Sequence, residues 1–485
     1  MGKHPSRVSR LTSTVLLLLL SHLWLIGPLY AQVEYVADLR FPPLPDLAIP
    51  EPTRVTLDNG MVILMMEDHE LPLVSVSAKI RTGSRLDPPG KVGLAQIVGS
   101  VMRSGGTTTM SGDALDDYLE GKAATIETSI GETMGSASMS CLKDDFVDIL
   151  KVFADVLRNP SFNQEKLAIA KNQAMASISR QNDNPDSIVS REFKKLVYGA
   201  DSSYARTPTY TTISAITQTD LKDWHQRFFH PNRMIIGITG DFQADAALTL
   251  LKKVFSDWPA GPPVQPVSVP YAASNPANVF YVEKNDMTQA KIIMGHLGVL
   301  RNNPDYYPLV VVNQILSGSF GARLFSNVRS KQGLAYDVHG GVGFQWDYPG
   351  MASLMMSTKT ETTAAGIDAL IAESQKMVSE PPTDEEVAKA KASIINSFVF
   401  SVDSPAKVLG QYLLYEYYGY PLDWLVKFRD GIEQVTTEQV REAAQHHLRP
   451  LDFSILVVGP RAGTAPALAR YDAVQELDIS IPEPS

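Results

Sequence analysis

Hydrophobic and polar residues follow two different rhythms along this chain. Residues 74–80 alternate apolar and polar side chains, which is typical of a strand with one buried face. Residues 91–104 instead place apolar side chains three and four positions apart, which predicts an amphipathic helix. The apolar stripe of that helix comprises Leu94, Ile97, Val98, Val101 and Met102, and the opposite face comprises Gln96, Gly99, Ser100 and Arg103. Strands and helices mixed in this way predict an α+β fold with helices packed on sheets.

A proline-rich stretch divides the chain near its middle. Residues 258–278 contain six prolines, a density that neither a helix nor a central strand tolerates. We interpret this stretch as an extended linker. The predicted organisation is therefore a signal segment (1–31), a first domain (48–257), the linker (258–278), a second domain (279–470) and a C-terminal tail (471–485).

The two halves repeat one another. In each half a helical stretch leads to a proline and then to an apolar strand that ends at a glycine. These residues are Pro231 and Gly240 in the first half and Pro450 and Gly459 in the second, and the same offset separates both pairs. A slightly shorter offset aligns residues 139–143 with 355–359. A period this long indicates duplication of a whole domain, because repeats in solenoids are about 20 to 50 residues long. We expect each half to contain one mixed or antiparallel sheet packed with helices.

The N-terminus predicts export. Residues 1–31 begin with basic residues, continue with a leucine-rich run and end at Ala31, the order of a secretory signal peptide. Polar residues, a glycine and a proline interrupt the apolar run, which makes it short for a membrane span of about 20 residues. Export to a bacterial periplasm is the prediction, with an uncleaved membrane anchor as the alternative. No later stretch is apolar enough to predict a membrane span.

Composition narrows the possible chemistry. The formal net charge is -10, which argues against a nucleic-acid partner, because binding phosphates needs a basic excess. Hydrophobic residues make up 44% of the chain, enough to bury a core. The single cysteine, Cys141, excludes an intramolecular disulfide and a thiolate cage for zinc or iron.

The predicted helix over residues 91–104, with Gly105, Gly106 and Thr107 after it, resembles the zinc-binding helix of the pitrilysin/insulinase family of metallopeptidases. In that family the helix carries H-x-x-E-H, in which two histidines bind zinc and the glutamate is the general base. The aligned positions here are Gln96, Gly99 and Ser100, and the family's third zinc ligand aligns with Ser177. None of these residues holds zinc. The resemblance therefore implies the non-catalytic type of subunit, with no metal or other cofactor in this chain.

A second resemblance lies in residues 313–336, which are similar to the family's C-terminal signature. There an arginine, and a tyrosine seven positions later, hold backbone carbonyls of the bound peptide. The matching residues are Arg329 and Tyr336. In the alternative interpretation Arg329 ends a helix and Tyr336 packs in the following strand. Gly318 and Gly321 resemble a short form of the glycine-rich loop of non-catalytic subunits, or else they end one helix and begin another.

These resemblances leave two classes of function. In the first, the two homologous domains form a clamshell, and the chain is the zinc-less subunit of an exported heterodimeric peptidase. It binds a peptide or an unfolded protein and supplies Arg329 and Tyr336 to the zinc site of a homologous partner. The alternative is a non-enzymatic peptide-binding or assembly protein. Neither class predicts activity of the chain alone, and no G-x-S-x-G motif indicates hydrolysis by another route.

Overall fold

The computed structural model describes residues 49–264 and 278–482 of the chain. The predicted signal segment, residues 1–31, lies outside these residues, as do residues 265–277 of the predicted linker. One β-sheet lies on each side of the linker. The α+β fold expected from the sequence is confirmed.

The first half contains a mixed sheet. Its strands are β1 (Thr53–Thr56), β2 (Val62–Glu67), β3 (Leu73–Ile80), β4 (Thr125–Ile130), β5 (Gly135–Leu142) and β6 (Met234–Gly240). Its helices are α1 (Leu94–Ser104), α2 (Gly112–Gly121), α3 (Phe146–Arg158), α4 (Gln164–Ser179), α5 (Pro185–Tyr198), α6 (Tyr210–Ser214), α7 (Gln218–Phe228) and α8 (Ala244–Phe255). The strand order is β1-β2-β6-β3-β5-β4, in which β2 and β6 are parallel and the other neighbours antiparallel.

The second half contains the corresponding sheet. Over the described residues it has one strand more than the first sheet. Its strands are β7 (Val279–Glu283), β8 (Gln289–Leu297), β9 (Val299–Leu300), β10 (Asp337–Gln345), β11 (Pro349–Lys359), β12 (Ser454–Gly459) and β13 (Val474–Glu476). Its helices are α9 (Tyr306–Ser317), α10 (Thr363–Ser379), α11 (Asp384–Phe398), α12 (Pro405–Tyr418), α13 (Trp424–Glu433), α14 (Thr437–His447) and α15 (Arg461–Leu468), with a π-helix at Leu324–Lys331. The strand order is β13-β7-β12-β8-β11-β10-β9.

Equivalent polar contacts recur in the two halves. Thr217 and Thr436 begin α7 and α14, and each takes part in a capping box, in which two backbone N–H groups at the helix start are satisfied. Lys171 on α4 donates from Nζ to the carbonyls of Ser214 and Ile216, at 2.8 Å each, just past the end of α6. In the second half Lys391 on α11 donates to the carbonyls of Glu433 and Val435, at 2.6 and 2.8 Å, at the end of α13. The structure therefore repeats the sequence duplication down to individual side-chain contacts.

One alignment between the halves needs correction. Strands β5 and β11 each run directly into a short 3₁₀ helix, and these helices begin at Lys143 and Thr360. The alignment of residues 139–143 with 355–359 is therefore one position short, and Met139 corresponds to Met356, both side chains being buried in the core of their own half. Met355 points to the other face of the sheet. Shifting a strand alignment by one position assigns every side chain to the opposite face of the sheet. Because Met355 and Met356 are adjacent in β11, either one could be aligned with Met139 from the sequence.

Each half covers the outer face of the other half's sheet with one helix. Helix α5 of the first half packs on β8 and β12, and helix α12 of the second half packs on β2 and β6. The first contact buries Ile188, Val189, Phe193, Phe280, Ile293 and Leu456, and the second buries Leu64, Ile235, Leu409, Tyr412 and Leu413. Burial of each large apolar side chain contributes about 1.5–3 kcal/mol, so the two halves stabilise one another.

The end of the chain differs from the predicted tail. Residues 471–482 include β13, which pairs in parallel with β7 at the edge of the second sheet. Beyond it, Leu477 and Ile479 pack on the apolar cluster between the halves, and Asn182 of the first half donates from Nδ2 to the carbonyl of Ile479 at 2.6 Å. This segment is therefore part of the fold, because its backbone and apolar side chains both find partners.

Candidate functional site

Helix α1 carries three of the four positions aligned with the zinc motif, and Asp87 fixes where it begins. The Asp87 carboxylate accepts the backbone N–H groups of Gly93 at 2.8 Å and Ala95 at 2.9 Å, which have no partner inside the helix. Gly93 has a φ of 103°, which favours glycine. Burial raises the pKa of Asp87 to about 6, although both N–H groups act to lower it. The predicted apolar stripe of α1 is buried throughout, as expected.

The other face of α1 borders a groove along α4. Gln96, Ser100 and Ser177 all line one cavity of about 320 Å³, together with Gln173 and Gln181. The structure thus brings together the three positions that align with zinc ligands, although Ser177 is distant from the other two in the chain. Among the described residues, no acidic residue, histidine or cysteine lines this cavity. Its polar groups are amides and hydroxyls.

Gly99, at the position of the general base, is closed off by strand β4. A Cβ atom at Gly99 would lie 2.5 Å from the backbone nitrogen of Ile130 and 2.8 Å from the carbonyl carbon of Ser129. Thr128 also donates from Oγ1 to the Gly99 carbonyl at 2.6 Å. The sequence pattern placed Gly99 on the open face with Gln96 and Ser100, but the structure buries it. No side chain fits at this position unless β4 moves.

The residues at the four positions do not fit a zinc ion. Zinc in proteins is held by imidazole, thiolate or carboxylate groups, whereas Gln96, Ser100 and Ser177 offer an amide and two hydroxyls. Over residues 49–264 and 278–482, no group of three or more histidine, cysteine, aspartate or glutamate side chains is placed to hold a metal. Cys141 is buried, and burial raises the pKa of its thiol to about 11, which favours the uncharged form.

Arg329 and Tyr336 lie side by side on the surface of the second half. Arg329 is in the π-helix, and its guanidinium carbon lies 4.6 Å from the ring centre of Phe325 and 5.9 Å from that of Tyr336. Tyr336 stands just before β10 and is 73% exposed; only its backbone joins the sheet, through an N–H bond to the carbonyl of Ser357 at 3.0 Å. The Tyr336 side chain therefore does not pack in the strand, whereas Arg329 does lie in the last turn of its helix, as the alternative interpretation expects.

The Arg329 guanidinium and the Tyr336 hydroxyl are available to bind a ligand. In the described part of the chain, neither the Arg329 guanidinium nor the Tyr336 hydroxyl has a hydrogen-bond or ion-pair partner. The guanidinium is instead held between two aromatic rings, a cation–π arrangement that restrains it without occupying its N–H groups. Such a pair can donate hydrogen bonds to acceptors on a ligand.

Gly318 and Gly321 lie between helix α9 and the π-helix. Gly318 ends α9, where its N–H donates to the carbonyl of Gln314 at 3.0 Å, and Gly321 is exposed. Between them Phe320 is 80% exposed, and its ring meets that of Phe325 edge to face at 4.9 Å. Sequence reasoning missed both phenylalanines. The available signal was the spacing of four positions from Phe325 to Arg329, which places the two side chains on one helix face.

This fold and site define a class: duplicated, peptidase-like proteins whose metal-binding helix has lost its metal ligands. Comparison with protein families agrees with this class. The profile described as insulinase (peptidase family M16) matches residues 62–205, and the profile described as the peptidase M16 inactive domain matches residues 215–394. This chain belongs to the insulinase family, peptidase family M16.

Relatives of this chain carry differing descriptions. It is 22% identical over 398 residues to the non-peptidase homolog YmxG of Helicobacter pylori, which covers 82% of this chain and 91% of the relative. It is 25% identical over 291 residues to an uncharacterized zinc protease, YmxG of Bacillus subtilis, covering 59% and 69%. A crystal structure of a peptidase M16 inactive domain from Pseudomonas fluorescens superposes with a TM-score of 0.76 at 26% identity, covering 88% of this chain and all of that one.

Proposed function

We propose that this chain is the zinc-less subunit of an exported two-chain peptidase of the insulinase family. It binds a peptide or an unfolded protein and supplies Arg329 and Tyr336 to the zinc site of a homologous partner chain. One observation carries the proposal: the chain combines zinc-motif positions that do not fit zinc with a half-buried Arg329 and an exposed Tyr336, whose polar ends have no hydrogen-bond or ion-pair partner among the described residues. Stability of the fold alone does not require the Arg329 guanidinium and the Tyr336 hydroxyl to lie next to each other without partners.

The pair suits recognition of peptide carbonyls. A guanidinium presents several N–H donors in a fixed plane and a phenol presents one O–H donor, so both can bond to carbonyl oxygens of an extended peptide. Donors aimed at a carbonyl that gains negative charge during attack by water stabilise the transition state more than the ground state. Phe325 contributes by limiting the orientations of the Arg329 side chain.

A partner chain supplies what this chain lacks. The proposed partner is a homologue with an intact H-x-x-E-H helix that brings the zinc and the general base, whereas this chain brings no cofactor. Helices α5 and α12, each of which packs on the sheet of the other half, hold the two halves of this chain together. The peptide chamber of a clamshell is therefore proposed to form between two chains, with this chain as one of its shells. The glycines Gly318 and Gly321 are proposed to border the substrate beside Phe320.

Export to the periplasm is part of the proposal. It rests on the signal-peptide pattern of residues 1–31, which lie outside the described residues. Within the described ranges, no helix has both the length and the apolar character needed to cross a bilayer.

The test compares peptide cleavage by the purified chain, by a zinc-motif partner and by the two together. We expect cleavage only by the pair, and a loss of about 100-fold in kcat/KM when this chain carries Arg329→Ala or Tyr336→Phe, the scale seen when one transition-state donor is removed. Arg441→Ala in the same half, whose guanidinium pairs with Glu438 on its own helix α14, is the matched control. Full activity with both site variants would contradict the role in trans. One zinc ion per isolated chain would contradict the whole proposal.

A second candidate is a non-enzymatic assembly or peptide-binding protein. The observation that favours it is the closure of the Gly99 position by β4, since a chain with no catalytic role has no need to keep room for a general base. Purification from the native source separates the two candidates. An assembly that contains this chain but no chain with H-x-x-E-H supports the second one.

A further inference from the structure

A cavity of about 650 Å³ lies between the outer face of the first sheet and helix α12. It shares no residue with the groove that holds Gln96 and Ser177. Strands β3, β5 and β6 form its floor, and the leucines Leu409, Leu413 and Leu414 of α12 form an apolar wall. This volume is within the range of small-molecule sites.

The floor of the cavity is polar and carries one lysine. In the antiparallel register Ser75 is opposite Ser140, Ser77 is opposite Ser138, and Lys79 is opposite Ser136. The Lys79 side chain is half-buried, and its one hydrogen bond among the described residues goes from Nζ to the Ser136 hydroxyl at 3.3 Å. Burial lowers the pKa of Lys79. A partly dehydrated ammonium without a carboxylate is costly, and an anion beside it relieves that cost.

The charges around the cavity leave Lys79 uncompensated. Within the part of the chain that the structure describes, no aspartate or glutamate lines the cavity. The second lysine of the lining, Lys407, is already bonded to Asp403 Oδ2 at 2.8 Å and to the Phe400 carbonyl at 2.9 Å. A further donor is available on the same face of β3: the Ser77 side chain lies two positions from Lys79 and lines the cavity. The lining thus offers a cation and a hydroxyl to an anion.

The duplicated half serves as an internal control. By the strand registers, Lys79 corresponds to Gly295, Ser77 to Ile293 and Thr239 to Val458. In the second half Ile293 and Val458 are buried in an apolar cluster under α5. The fold therefore does not require a lysine and hydroxyls at these positions, since the same architecture is built without them in the second half.

We propose that this cavity binds a ligand that combines a carboxylate with an apolar body. The carboxylate bonds to the Lys79 ammonium and the Ser77 hydroxyl on the floor, and the apolar body lies against the leucines of α12. A fatty acid and the free C-terminus of an apolar peptide share this chemistry. The site is independent of Arg329 and Tyr336 and of the proposed partner.

Calorimetric titration of the purified chain with two pairs of probes tests the site. Octanoate is compared with octanol, and the tripeptide Leu-Leu-Leu with its C-terminal amide. We expect at least one carboxylate to bind, and its neutral counterpart to bind at least about tenfold more weakly, because a hydrogen bond to a charged group contributes about 1.5–3 kcal/mol. Binding of octanoate alone identifies a fatty acid as the source, and binding of the tripeptide alone identifies a peptide end.

Variants decide whether Lys79 is responsible. Lys79→Met removes the charge at nearly constant shape and is expected to weaken carboxylate binding at least about tenfold. Lys389→Met, an exposed lysine of α11 outside the cavity lining, is the matched control and is expected to leave it unchanged. Ser77→Ala, which removes the neighbouring hydroxyl, provides a smaller loss if Lys79→Met fails to fold. The proposal is overturned if neither carboxylate binds the unaltered chain, if the neutral probes bind equally well, or if folded Lys79→Met and Ser77→Ala both keep full affinity.

Discussion

Arg85 and Asp347 form an ion pair at 2.6 Å that joins the two halves of the chain. Arg85 lies just before helix α1, and Asp347 lies in the turn between β10 and β11. The two side chains are 6% and 26% exposed. Arg54 and Glu416 also pair across the halves, at 2.9 Å, but 42% of the Arg54 side chain is exposed. The two ion pairs therefore differ chiefly in how far they are removed from water.

Arg85→Met is expected to lower the free energy of unfolding by about 1–3 kcal/mol, because it removes the buried guanidinium and leaves the partly exposed Asp347 carboxylate without its partner. Arg54→Met is the matched control, with an expected loss below about 1 kcal/mol, since exposed pairs contribute little. Urea denaturation followed by circular dichroism measures both. Equal losses for the two variants would show that burial does not determine how much each ion pair contributes to the free energy of unfolding.

Leu413→Ala is expected to destabilise the protein by about 2–5 kcal/mol, because Leu413 is 2% exposed and packs from α12 onto the first sheet. Leu414→Ala, the next residue, is half-buried at the cavity wall and is expected to cost about 1 kcal/mol. Thermal and urea denaturation provide the measurement. If Leu414→Ala were the more damaging of the two, the packing of α12 on the sheet would be incorrectly described.

Gly99→Ala is expected to destabilise the protein by about 1–3 kcal/mol, since the added methyl group meets the backbone of β4. Gly90→Ala is the control: no atom lies within 4 Å of the added carbon, so the change is expected to stay within about 0.5 kcal/mol. Urea midpoints at constant slope report the difference. A neutral Gly99→Ala would mean that β4 leaves room for a side chain at the general-base position.

Asp87 predicts a pH dependence of stability. Its pKa in the folded protein, about 6, lies above the ordinary value of 3.8, so the folded state binds this proton more tightly than the unfolded state. The contribution to stability is complete below pH 3.8 and is lost as the pH rises through 6. Relative to Asp87→Asn, the unaltered protein should lose about 2–3 kcal/mol between pH 4 and 7. A difference that instead grows with pH would show that the N–H groups of Gly93 and Ala95 outweigh burial.

Local patterns were sufficient for much of the fold. The helix over residues 94–104 follows from its apolar spacing, and the two sheets follow from alternation and from the repeat that relates the halves. The Arg329 and Tyr336 positions were predicted from the resemblance of residues 313–336 to the family's C-terminal signature. These features depend on residues close together in the chain, or on whole segments that recur, which is why periodicity and motif reveal them.

Features that depend on distant residues could not be predicted. The closure of Gly99 depends on the path of β4, which follows α1 and α2 in the chain, and a glycine on a polar helix face gives no sign of it. The alternation that contains Lys79 is equally typical of a face open to solvent, and only the position of α12 turns that face into a cavity wall. The apolar stripes of α5 and α12 indicate burial, but they do not indicate which sheet is covered.

The exchange of α5 and α12 bears on how the chain assembles after synthesis. Neither half can complete its surface alone, because one face of its sheet stays uncovered until the other half supplies a helix. The first half leaves the ribosome well before α12 is made, so the apolar sheet face that includes Leu64 and Ile235 is exposed to solvent until α12 packs on it. Two chains that meet at this stage can trade helices with each other, and an entwined dimer is then the characteristic error of this architecture.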